Sequence, residues 1–152
     1  MASISDRDAA ARSTRALDAT MIEVAIEVGG IANLALAGTR LAAVRMIRAG
    51  TVPVHLKWYG KDITAASLAL AAIRPVFVPL AFGLLSLMYT EQFVSTLLGM
   101  ALSLVIGVSL VLRLAECVLI PELRAARSFL FVEGGLSLLG AIAYFVVVAR
   151  GI

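Results

Sequence analysis

Residues 92–112, QFVSTLLGMALSLVIGVSLVL, run without a single Asp, Glu, Lys or Arg. At 1.5 Å per residue, this stretch makes a helix about 32 Å long, and the hydrocarbon core of a bilayer is about 30 Å thick. No water reaches a backbone in lipid, so its donors and acceptors must be satisfied within the segment, which a helix does. The stretch predicts a transmembrane helix, and the fold class follows from its neighbours.

Immediately before it, residues 63–90, ITAASLALAAIRPVFVPLAFGLLSLMYT, are long enough to cross and carry one charge, Arg74. The link around Thr90 and Glu91 is so short that the two helices must form an antiparallel hairpin. The central helix runs on to about residue 120, where Pro121, lacking a backbone donor, stops it. After a short connector, residues 128–149, SFLFVEGGLSLLGAIAYFVVVA, form another span with one charge, Glu133.

Composition agrees. Of 152 residues, 61% are hydrophobic and 15% charged, where soluble domains hold about 25% charged residues. A soluble fold of this size could not hide so much apolar surface, and disorder has the opposite signature. Residues 1–16 are polar and mixed in charge, without the short apolar core of a signal peptide, and are expected to form a tail outside the membrane. Residues 17–152 form one membrane-embedded helical domain.

The first helix, residues 17–48, is different in kind. At 100° per residue, Asp18, Glu23, Glu27, Asn33, Arg40, Arg45 and Arg48 share one half of the wheel, and Leu17, Met21, Val24, Val28, Ile31, Ala35, Ala42 and Met46 the other. It either crosses with its polar face turned inward or lies along the interface. Small residues on its charge-free face suit close helix packing and favour crossing. Charge bias pulls the other way, because crossing places Arg7, Arg12 and Arg15 outside. The expected fold is an all-α integral membrane protein, a four-helix bundle with helices at about 17–48, 63–90, 92–120 and 128–149.

Connector 45–61 holds Arg45, Arg48, Lys57 and Lys61, and region 113–127 holds Arg113, Arg124 and Arg127. Both fall on one side of the hairpins, which the positive-inside rule makes cytoplasmic. A bacterial inner (plasma) membrane is the expected location. Scattered along the chain, these basic residues describe topology and not nucleic-acid binding. Trp58, Tyr59 and Tyr89 flank the second helix as interfacial belts do.

Four features are candidates for function. Ser95, Gly99, Ser103 and Gly107 place a small residue at every fourth position. They form a ridge for an oligomer contact or for packing inside one subunit. Arg74 lies about 18 Å into its helix and stays charged, so it requires a partner; Glu27 and Asn33 are the candidates. Pro75 and Pro79 each remove a backbone hydrogen bond, freeing carbonyls near Ala71 and Pro75. Glu23 and Glu27, one turn apart, complete with Asn33 and Arg74 a set of intramembrane polar groups that could line a path. At the cytoplasmic end, Arg113, Glu116 and Glu133 are expected to form a charge network.

One Cys and one His leave no ligand set for a metal or haem. No phosphate loop or nucleophile–base pair is present, so no cofactor and no catalytic residues are expected. The expected function is a non-enzymatic membrane subunit that assembles in the bilayer with itself or with larger membrane partners. The alternative is a small oligomeric transporter or channel for protons, cations or small solutes.

Overall fold

The computed structural model describes residues 4–49, 57–58, 61–62, 65–119 and 127–151. Helix α1 spans Ile4–Arg48. The two-residue strands β1 (Lys57–Trp58) and β2 (Lys61–Asp62) pair antiparallel in the connector that follows. Then come α2 (Ala65–Met88), α3 (Thr90–Ser95), α4 (Leu97–Leu119) and α5 (Arg127–Gly151). Three helical stretches are long and apolar enough to cross a membrane: Leu17–Met46, Leu97–Glu116 and Phe131–Arg150. In α2 the described side chains contribute the shorter apolar stretch Pro75–Met88.

Two boundaries differ from expectation. Residues 4–16, expected as a polar tail, continue α1 as helix. Their alanines and arginines are strong helix formers, and no breaker separates them from Leu17. The helix expected over 92–120 is broken in two at Thr96, whose backbone is extended at φ −118°, ψ 146°. Local capping explains the break. The Thr96 hydroxyl accepts from the Gly99 N–H at 2.9 Å and donates to the Gln92 carbonyl at 2.6 Å. It therefore starts α4 as an N-cap while closing α3.

The long helices pack in the order α2–α1–α5–α4, and α1 and α5 take the central positions. Successive neighbours run antiparallel. On α1, Gly30 lies against Gly83 of α2, whereas Asp18 pairs with Arg150 at the far end of α5. The α1–α2 crossing is a backbone-to-backbone contact. A Cβ on Gly83 would lie 2.9 Å from the Gly30 carbonyl oxygen, and one on Gly30 would lie 3.2 Å from that of Gly83. This proximity suits helix association in lipid, where van der Waals contact replaces the hydrophobic drive.

Ile22, Ile26, Leu36, Phe93, Ile106 and Tyr144 form the centre of the core. Phe93 reaches it from α3, which explains the use of the short helix as a plug at one end. Outward faces are strongly apolar, with Leu97 and Phe131 each 80% exposed. Monomeric soluble proteins do not leave such side chains in a continuous belt.

Candidate functional site

Glu133 of α5 is 1% exposed and is bonded by arginines of α1 and α4, the first of which also bonds to α2. Its Oε1 accepts from Nε of Arg40 on α1 at 2.8 Å, and from Nε and Nη2 of Arg113 on α4 at 3.0 and 2.9 Å. Arg113 Nη1 donates to Oε2 of the exposed Glu116 at 2.7 Å. Arg40 Nη1 donates to the Pro75 carbonyl of α2.

The last contact follows from the sequence of α2. In a helix, the carbonyl of residue 75 would receive the N–H of residue 79, and Pro79 has none. Proline thus creates the acceptor that Arg40 occupies. The four charged groups comprise two guanidiniums and two carboxylates. An arginine cannot be relieved of its charge by losing a proton, so the pairing and the hydrogen bonds must hold it. Such an ion pair offsets its desolvation only when geometry is good and remaining donors are satisfied. Here one carboxylate oxygen collects three donors from two helices.

A second polar cluster lies deeper. Tyr144 of α5 is fully buried, and its hydroxyl lies 2.6 Å from Ser86 Oγ of α2 and accepts from Asn33 Nδ2 of α1 at 3.2 Å. Asn33 Nδ2 also donates to the Gly29 carbonyl at 3.2 Å. Gly29 makes room for the tyrosine, since a Cβ there would stand 2.8 Å from Tyr144 Cε2. Tyr144→Phe keeps the ring and strips the hydroxyl from its two buried partners. It is expected to lower stability by about 1–3 kcal/mol, read as an earlier unfolding transition in detergent. An unchanged transition would show that Asn33 and Ser86 find other partners.

The structure brings Arg113, Glu116 and Glu133 together and adds Arg40. It separates Asn33 from Glu23 and Glu27. Asn33 is in the core, Glu23 and Glu27 are on the outer face of α1, and the Arg74 side chain lies outside the described residues. Asn33 therefore bonds to the Tyr144 hydroxyl and the Gly29 carbonyl. Along the small-residue ridge, Gly99 packs against the backbone of Gln92 and Phe93. Gly107 packs against Phe145, and Ser103 is buried. These three face their own chain. Ser95 is exposed, its hydroxyl donating to the Glu91 carbonyl at 2.7 Å.

Sequence reasoning missed Arg40, Tyr144 and Ser86. Arg40 lies seven residues, two turns, after Asn33, so both point the same way. A tyrosine in mid-span must find a partner for its hydroxyl. Both signals were present.

Among the described residues, no group of three or more His, Cys, Asp or Glu side chains is placed to hold a metal ion. An open groove of about 400 Å³ between α1 and α5, lined by residues such as Met21, Val24, Leu139 and Ile142, contains no titratable group. Comparison with protein-family models, with curated proteins and with solved structures found no match to this chain.

Proposed function

We propose that this chain is a non-enzymatic integral membrane subunit that assembles in the bilayer with itself or with larger membrane partners. It would sit in a bacterial inner membrane as a four-helix unit, with connectors 45–61 and 113–127 on the cytoplasmic side. Two charged layers support the placement. The Asp18–Arg150 pair and the Glu133 cluster are separated by about 33 Å along α1 and about 26 Å along α5, at 1.5 Å per residue. A hydrocarbon core of about 30 Å fits between them.

The observation that carries assembly is the exposure of Glu23 and Glu27 on a helix long and apolar enough to cross. They lie about 8 and 14 Å from the level of Asp18 towards the mid-span. Carboxylates facing lipid are costly, by about 2.5–3.5 kcal/mol at mid-span and less near the interface. Around the α1 axis they share an arc with Ile31, also exposed, and with Gly38, where an added Cβ would meet nothing within 4 Å. This face has room for another helix.

The transporter reading has less support, because the polar groups it would use on α1 are divided between the core, where Asn33 lies, and the exposed face, where Glu23 and Glu27 lie. Native mass spectrometry from mild detergent tests assembly. A defined homo-oligomer or a stoichiometric complex is expected, and Glu23→Gln/Glu27→Gln should lower its occupancy while the chain stays folded. A lipid-surrounded monomer without partners would overturn the proposal.

A further inference from the structure

The seam between α1 and α5 is closed at one level and open beyond it. At mid-span Tyr144 packs against Gly29, and a Cβ on Gly140 would stand 3.5 Å from the Ala32 Cβ. From that level an open groove of about 400 Å³ runs along the seam towards the Asp18–Arg150 pair. Its walls are an apolar stripe from Leu17 to Val28 on α1 and another from Leu139 to Val146 on α5. Alanines set its floor: Ala143 is buried, and Ala25 packs against the core. The depth of the groove comes from these two side chains, which stop at Cβ.

From Leu17 to Val28 the groove is about 16 Å long, half of a hydrocarbon core about 30 Å thick. It starts at the charged layer and ends near mid-span, so it is as deep as one leaflet. That is the reach of one acyl chain; a second crossing helix would leave half of its length without a groove. A furrow left empty deprives its lining of contacts on one side, and such contacts are what hold apolar surfaces together in lipid. The mouth is charged. Arg150 stands one turn beyond Val146, and its side chain leans back towards the groove, while Asp18 adjoins Leu17. Both side chains are half-exposed. Their pair engages one guanidinium nitrogen and one carboxylate oxygen, whereas a guanidinium has five donors and a carboxylate two oxygens. The mouth therefore offers cationic donors and an anionic acceptor side by side.

We propose that this groove holds one aminophospholipid, with an acyl chain between α1 and α5, its phosphate on Arg150 and its primary ammonium on Asp18. The zwitterionic headgroup matches the pair in sign at both ends. Arginine takes a phosphate through two parallel hydrogen bonds, and an ammonium brings three donors to a carboxylate. A choline headgroup has no N–H to give Asp18, and a glycerol headgroup has no cation, so each is matched at Arg150 alone. The groove lies about 100° around α1 from Glu23 and Glu27, away from the face assigned to assembly. The lipid site rests on the placement of the chain in a bilayer and not on its assembly. Alkaline carbonate washing separates the two failures. A chain stripped from the membrane would sink both placement and site, and a chain that stays but retains no lipid would sink the site alone.

The test is native mass spectrometry of the full chain released from nanodiscs made of equal parts phosphatidylethanolamine, phosphatidylcholine and phosphatidylglycerol. One phospholipid per chain should survive release, with phosphatidylethanolamine enriched several-fold over the other two. Val24→Phe/Ile142→Phe fills the groove from its walls and should lose the bound lipid. Both positions are half-exposed, so the rings need no room in the core. Asp18→Asn keeps the groove and removes the partner of the ammonium. Its retained lipid should switch to phosphatidylglycerol, whose net negative charge then meets Arg150 without the opposing carboxylate. An ion pair that only braces α1 against α5 would produce no such switch, and the switch is read whether or not the double variant folds. A wild-type chain without phospholipid, equal retention of the three headgroups, or an isoprenoid quinone carried from the cells in place of phospholipid would each overturn the site. So would undiminished retention in Val24→Phe/Ile142→Phe, or an Asp18→Asn chain that still prefers phosphatidylethanolamine.

Discussion

Glu133→Ala should destabilise the chain by about 3–5 kcal/mol, the usual consequence of stripping one partner from a buried ionic group. The reason is specific to the geometry. Glu133 Oε1 is the shared acceptor for Arg40 and Arg113, which lie on different helices. Without it, among the described residues Arg40 keeps only the Pro75 carbonyl and Arg113 only Glu116. Neither arginine can neutralise itself, so two cations remain in a low-dielectric setting with their attraction to α5 removed. Glu133→Gln should fall between the two, since it keeps an acceptor oxygen and loses the charge. The combined Arg40→Met/Arg113→Met/Glu133→Leu variant should recover most of the loss, because apolar groups of similar volume often replace a buried ion pair without cost. Denaturant unfolding in detergent measures all three. A loss below about 1 kcal/mol for Glu133→Ala, the range of a solvated surface pair, would show that the cluster is hydrated rather than structural.

The distribution of this network explains what the sequence could disclose. Arg113, Glu116 and Glu133 sit where two helices approach a common short connector, so their grouping is legible from spacing alone. Arg40 is 93 positions from Glu133, and its membership depends on α1 packing against α5, which no local pattern specifies. The freed carbonyl of Pro75 was readable, because the absence of a donor on Pro79 is covalent chemistry. The cation that uses it was not, because Arg74 adjoins that carbonyl in the chain while Arg40 comes from another helix. On α1 the wheel separates polar from apolar residues, but the neighbours on each side divide the polar half. Asn33 and Arg40 face α5, while Glu23 and Glu27 face outward. Hydropathy makes the three long apolar stretches visible and is blind to the break at Thr96, because a threonine cap hardly alters an average over some twenty residues.

That break gives the second large effect. Gly99→Ala is expected to cost more than the about 1–3 kcal/mol typical of overpacking a core. At Gly107, Gly134 and Gly140 an added methyl would meet side chains alone. A Cβ on Gly99 would instead strike the Gln92 carbonyl oxygen and the Phe93 Cα, and would lie 2.6 Å from the Phe93 carbonyl oxygen. Those atoms are backbone, so relief requires α3 to move as a unit. Movement of α3 withdraws Phe93, 4% exposed, from its place against the core. It also disturbs the Thr96 cap, whose hydroxyl accepts from the Gly99 N–H itself. Gly38→Ala is the matched control, because no atom within 4 Å would meet its Cβ; replacing glycine there should stabilise the helix by about 0.5–1 kcal/mol through backbone entropy. The two substitutions add the same methyl group and should shift the unfolding transition in opposite directions. If Gly99→Ala unfolded like Gly38→Ala, α3 and α4 would have to be one continuous helix through Thr96, with the close approach of Gly99 to Phe93 absent.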